Sequence, residues 1–139
     1  MTHSFAANPR AIHEIEHSWI PMPDGTRLAA KIWIPIDAEE EPVPAILEYL
    51  PYRKRDGTRG RDRTNHPPVA KCGYACVRVD IRGTGDSEGI YRDEYTPQEQ
   101  EDGCAIIAWL AEQSWCTGSV GIIGISWGGF NGLQIAARR

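Results

Sequence analysis

At 139 residues the chain is one domain or a piece of one. Hydrophobic residues at 41% and charged residues at 24% are ordinary for a globular protein. A net charge of −4 lays no basic footprint for nucleic acid, and no apolar run approaches the roughly 20 residues of a membrane-spanning helix.

Residues 1–10 read as a loose leader. They lack a basic region followed by an apolar core, so no secretory signal is expected and the default expectation is a cytoplasmic location. Residues 13–20 alternate polar and apolar side chains at period two, which predicts a half-buried strand. A turn at Asp24 and Gly25 returns the chain as a second strand over residues 27–35, making a hairpin. The acidic stretch 37–44 is a surface loop, and residues 45–50 are a third strand ended by Pro51. Residues 53–68 are polar, rich in arginine and aspartate, and contain Pro67 and Pro68. They read as a solvated loop with room for a short helix near Pro68.

Residues 74–81 are a fourth strand, followed by a glycine-rich loop over 82–89. Thr96, Pro97 and Glu99 then open a helix, as cap, first helical residue and capping-box acid. Ala105, Ile106, Trp109 and Leu110 recur at helical spacing, and the helix should end near Ser114. A hairpin followed by alternating strands and helices predicts an α/β fold with a largely parallel sheet. Cys76 and Cys104 sit in apolar patterns and read as small buried thiols. The cysteines show no C-x-x-C pair and no histidine at zinc spacing, so no metal site and no cofactor are expected.

The most informative stretch comes last. Residues 119–123 form a short apolar strand, residues 130–137 begin a helix, and Gly124-Ile125-Ser126-Trp127-Gly128 lies between them. A G-x-S-x-G sequence between strand and helix is a nucleophile elbow, a tight turn that lifts the serine hydroxyl above the sheet edge. Gly124 and Gly128 have a steric task there, because side chains two residues from the strained serine would clash. The helix start turns backbone N–H groups toward any oxyanion that forms at Ser126.

Serine catalysis also needs a base and a group that orients it, and behind such an elbow these follow in the order acid, then histidine. No Asp, Glu or His follows Ser126. His3, His13, His17 and His66 all precede it and read as ordinary surface or loop histidines. The elbow strand, apolar on both faces, is expected inside the sheet, with one edge left unpaired. Both arguments lead to the expectation that residues 1–139 are the N-terminal portion of something longer, or that a second copy or another partner completes the sheet.

Other candidates carry less. Gly83, Gly85 and Gly89 are spaced G-x-G-x-x-x-G, which misses the dinucleotide fingerprint, and no lysine-bearing P-loop is present. That loop reads as a turn shaping the site floor, held to itself by Asp80 and Arg82. Tyr52 follows the third strand, where such folds place a second oxyanion donor. Its hydroxyl could serve beside the Trp127 backbone N–H, and a purely structural loop tyrosine is the alternative. Glu99 and Asp102 read as solvated acids opposing the positive end of their helix.

Residues 24–29, Pro51-Tyr52-Arg53-Lys54, the string from Asp80 to Gly89 and Gly124-Ile125-Ser126-Trp127-Gly128-Gly129 occur in an order that resembles one family. It is the cocaine-esterase and X-prolyl dipeptidyl-peptidase group of α/β-hydrolases, which includes α-amino-acid ester hydrolases and glutaryl acylases. The resemblance runs from about residue 13 to 139. It implies Ser126 as nucleophile, with the Tyr52 hydroxyl and the Trp127 N–H as oxyanion hole. It also implies a small-molecule ester, amide or peptide substrate. A triad acid and histidine, a helical cap domain and a C-terminal jelly roll would lie beyond residue 139. The rival expectation is a catalytically inactive truncated chain that folds only by association with itself or a partner.

Overall fold

The computed structural model describes residues 8–138. The first seven residues of the expected leader, with His3, lie outside the described residues. Arg10 is already anchored: its N–H donates to the Lys71 carbonyl at 2.9 Å, and its guanidinium pairs with Asp37.

Strands β1 (Ile12–Pro21) and β2 (Arg27–Pro35) form the expected antiparallel hairpin. Asp24 closes its turn by accepting the Thr26 N–H at 3.0 Å, and Gly25 takes a φ of +86°, where a side chain would strain the backbone. β3 (Val43–Leu50), β4 (Ala75–Asp80) and β5 (Cys116–Ile122) complete a five-stranded sheet in the order β1-β2-β4-β3-β5. β2 runs antiparallel to β4, while β3 runs parallel to both β4 and β5. This is the α/β architecture expected, with a parallel half built by crossovers.

Helix α1 (Arg59–Lys71) joins β3 to β4, α2 (Pro97–Ala111) joins β4 to β5, and α3 (Trp127–Ala136) follows β5. Alternation along the strands divides the core between two faces. Trp33 and Cys76 pack with Ala70 of α1, whereas their neighbours Ile32 and Val77 belong with Ile106 and Leu110 of α2 and Ile135 of α3. Each fully buried Leu or Ile in the larger cluster contributes about 2 kcal/mol through area removed from water. α2 comes close to α3 because residue 103 is glycine: a Cβ there would overlap the Ile135 side chain. No helix among the described residues is long and apolar enough to cross a membrane.

One expectation is corrected here. The polar segment 53–68 is not mainly loop, since α1 occupies residues 59–71 and runs through Pro67 and Pro68. Its inward residues are Asp62, His66 and Ala70, at helical spacing but mostly polar, so apolar periodicity gave no sign of it. β5 is the outer strand of the described sheet, with one edge unpaired as expected, and most of its side chains are exposed or half-buried.

Candidate active site

The turn from β5 into α3 has the form its glycines require. Ser126 sits at φ 57° and ψ −122°, a conformation costing a non-glycine residue about 1–3 kcal/mol. Gly129 and Phe130 donate their N–H groups to the Ser126 carbonyl, each at 3.0 Å, which winds the helix immediately. A Cβ on Gly124 would collide with the Gly128 backbone, and one on Gly128 would press on Leu50 Cδ2 at 3.2 Å. The Ser126 side chain does not cap α3. It is exposed, and its Oγ lies 3.2 Å from the Tyr52 hydroxyl. Trp127 is the first residue of α3, so its N–H has no carbonyl one turn earlier to receive it. Ser126, Tyr52, Trp127, Gly124 and Gly128 are thus brought together at one end of the sheet.

Tyr52 is aimed by the loop after β3. Arg53 turns the chain with φ 58°, and the Thr58 N–H donates to the Arg53 carbonyl at 3.2 Å. The Lys54 N–H donates to Asp80 Oδ1 at 2.8 Å, and the Asp86 N–H donates to Asp80 Oδ2 at 3.1 Å. One buried carboxylate at the end of β4 therefore clamps both the Tyr52 loop and the glycine-rich loop. Burial pushes its pKa above the ordinary aspartate value, outweighing attraction to Arg78 and the two N–H bonds. Gly85 must be glycine because a Cβ would overlap that carboxylate.

Arg82 does not close the loop on itself as expected. It forms a two-pronged pair with Asp102 at 2.7 and 2.8 Å and reaches Asp24 at 2.7 Å. Hydrogen bonds from Arg82 and the Thr26 N–H hold the Asp24 carboxyl down at about 2. Nor are Glu99 and Asp102 solvated, since both are buried. Asp102 faces Arg82, and Glu99 takes N–H bonds from the Trp127 indole at 2.7 Å, the Tyr95 backbone at 2.9 Å and the Asn131 amide at 3.3 Å. A capping pattern marks a helix start but is silent on what packs over it, so Glu99 and Asn131 went unrecognised. Thr96 does cap, accepting the Glu99 N–H at 3.2 Å.

Of the described histidines, His17 and His66 are engaged elsewhere and His13 is exposed. His17 stacks edge-on against Trp19 and lies 3.4 Å from Lys54 Nζ, and His13 belongs to β1. His66 is no loop residue. It is buried on α1, 2.9 Å from Glu48, and its ring stacks on Trp33. Glu48, Asp62 and His66 bring ligand-type atoms within 4.8 Å of one another, a grouping that sequence spacing did not reveal. Arg61 bonds to both carboxylates, and Arg78 lies 3.4 Å from Asp62. Two guanidinium charges already balance the two acids, so this is an ion-pair network seating α1, and a metal ion there would meet like charge. Burial would raise the Glu48 carboxyl, yet His66, Arg61 and Arg78 together carry it below its ordinary range.

Around Ser126 the surface is aromatic. Tyr95 packs on Trp127 at 4.7 Å and on Phe130 at 5.7 Å between ring centroids, with Tyr91 beyond. A groove of about 550 Å³ lies alongside, lined by Arg82, Ile90, Tyr91, Gln98 and Glu99 among others.

Comparison with known proteins gives the family and the fold of the chain. The family profile for X-Pro dipeptidyl-peptidase (S15 family) matches residues 24–139. Cocaine esterase from Rhodococcus sp. (strain MB1 Bresler) is 38% identical over 120 residues, covering 84% of this chain and 20% of that one. A crystal structure of a CocE/NonD family hydrolase from Staphylococcus aureus superposes with a TM-score of 0.78 at 22% identity, over 92% of this chain and 26% of that one. An α-amino acid ester hydrolase gives a TM-score of 0.67 at 29% identity, over 94% of this chain and 24% of that one. The chain thus spans about a fifth of the length of the curated relative and about a quarter of the solved ones. With the profile matching all but the first strand of the fold, the chain belongs to the X-Pro dipeptidyl-peptidase (S15) family of α/β-hydrolases.

Proposed function

We propose that these residues supply the nucleophile and the oxyanion hole of a serine hydrolase that cleaves small-molecule esters, amides or peptides. The observation that carries this reading is Ser126, exposed on a strained strand-to-helix turn with Oγ 3.2 Å from the Tyr52 hydroxyl. Ser126 Oγ attacks the substrate carbonyl carbon while its proton passes to a base. The new C–O⁻ takes hydrogen bonds from the Tyr52 hydroxyl and the Trp127 N–H at the head of α3. Collapse of this intermediate expels the alcohol or amine, which receives the proton. Water then attacks the acyl-serine, releasing the acid and restoring the hydroxyl. Acyl transfer of this kind calls on no cofactor.

In this reading the described residues are the N-terminal portion of a longer catalytic domain, and the base histidine and its carboxylate come from chain beyond β5. The engagement of His17 and His66 by other partners supports that placement. The hydrolytic names of the relatives support the reaction class. In the complete gene product, Ser126→Ala should lower hydrolysis of a p-nitrophenyl ester by at least about 10³-fold, with the fold retained. A Ser126→Ala protein at full rate would contradict the assignment.

A second reading has one observation behind it: the outer edge of β5 is unpaired among the described residues, above an apolar groove of about 590 Å³ that includes Val120, Ile122 and Leu133. In it, this chain is catalytically inactive and a second copy or another partner covers the edge.

A further inference from the structure

We propose that Glu99 positions both oxyanion donors, a role that rests on the serine-hydrolase reading above. Its carboxylate is buried, and among the described residues no Lys, Arg or His pairs with it. A buried carboxylate without a cation is costly unless N–H donors surround it, and here three do. Oε1 accepts from the Trp127 indole at 2.7 Å and the Asn131 amide at 3.3 Å, while Oε2 accepts from the Tyr95 N–H at 2.9 Å.

Two of the three contacts end on α3, the element that carries the Trp127 N–H. The indole belongs to the residue whose backbone N–H faces the developing oxyanion, so fixing the ring fixes the first turn of α3. Asn131 Nδ2 also donates to the Tyr49 carbonyl at 2.6 Å, three residues before Tyr52 on the end of β3. Both partners of that amide are acceptors, which settles its orientation chemically. The Tyr49 hydroxyl returns to the Glu99 backbone carbonyl at 3.2 Å. Strand β3, which leads into the Tyr52 loop, and helix α3, which carries the Trp127 N–H, are therefore bonded to each other through Asn131. Both are braced by Glu99 of α2, whose carboxylate holds Asn131 and the Trp127 indole and whose backbone carbonyl holds the Tyr49 hydroxyl. A negative charge beside the first turn of α3 also suits the positive end of that helix.

A carboxylate can accept on both oxygens at once. Glutamine can keep Oε1 toward Trp127 and Asn131 but turns an NH₂ group against the Tyr95 N–H. Alanine loses all three carboxylate contacts and keeps only the backbone carbonyl that accepts the Tyr49 hydroxyl. The test uses the complete gene product, with sites counted by a fluorophosphonate titrant so that misfolded protein drops out of the rate. Glu99→Ala should lower kcat per titrated site by about 100-fold with KM within about twofold, because the donors act on charge that develops only in the transition state. Glu99→Gln should stay within about fivefold of the wild type. Trp127→Phe, which deletes the indole N–H, should lower kcat per site by about tenfold.

Full kcat per site in Glu99→Ala, or a Glu99→Gln as slow as Glu99→Ala, overturns the proposal. So does full kcat in Trp127→Phe, even where Glu99→Ala yields no folded protein. A wild type with no titratable Ser126 overturns the serine-hydrolase reading and this inference with it. A normal wild type beside an unimpaired Glu99→Ala overturns this inference alone.

Discussion

Tyr52 places a phenolic hydroxyl beside Ser126 from a loop that has no glycine before Gly57, so its oxyanion donor would be a side chain rather than a second backbone N–H. Loss of one such donor typically removes ~3 kcal/mol of transition-state stabilisation. Tyr52→Phe in the complete gene product should therefore lower kcat by about 100-fold and leave KM nearly unchanged, and a variant at full rate would take Tyr52 out of the mechanism. Ser126, Trp127 and the glycines at 124 and 128 were legible in the sequence because their constraint is local: a strained turn excludes neighbouring Cβ atoms within a few residues. Glu99 was not, since its partners Trp127 and Asn131 lie 28 and 32 residues away. Asp80 occupies the middle ground. Its place at a strand end was evident, but the clamp on Lys54 across 26 residues was not.

The strands and α2 announced themselves through alternation and capping, whereas α1 stayed hidden because its buried face is polar. Asp62 and His66 meet Glu48 and two arginines, and such a network is visible only once β3, β4 and α1 are assembled. The opposite case is Cys76 on β4, read correctly as a buried thiol. Burial, with smaller contributions from Cys72 and Glu48, pushes it from an ordinary 9.0 up to about 12. The unfolded chain releases that proton near 9.0 while the folded one keeps it to about 12, so the thiol opposes folding progressively as pH rises across this window. The urea midpoint of the protein should fall between pH 8 and pH 10, by less in Cys76→Val than in the wild type. An identical fall in both would show that Cys76 does not titrate this way.

At the scale of the whole molecule, parallel crossovers could be read from the order of elements, but the neighbours of each strand could not. β5 pairs with β3 rather than with β4, which precedes it in sequence, and sits at the outer side of the described sheet. Side-chain pattern reports burial, not which strand lies next door. An unpaired edge beside exposed Ile123 and Leu133 invites pairing, and what covers it decides between the two functional readings. A covering segment that brings a histidine to Ser126 makes an enzyme, and one that does not leaves an inert scaffold. The most direct measurement is to treat the complete gene product with a fluorophosphonate and map the adduct by mass spectrometry, with Ser126→Ala as control. A single adduct on Ser126, absent from the variant, is the predicted result. A folded protein that stays unlabelled, or one labelled equally in the variant, would contradict Ser126 as the nucleophile.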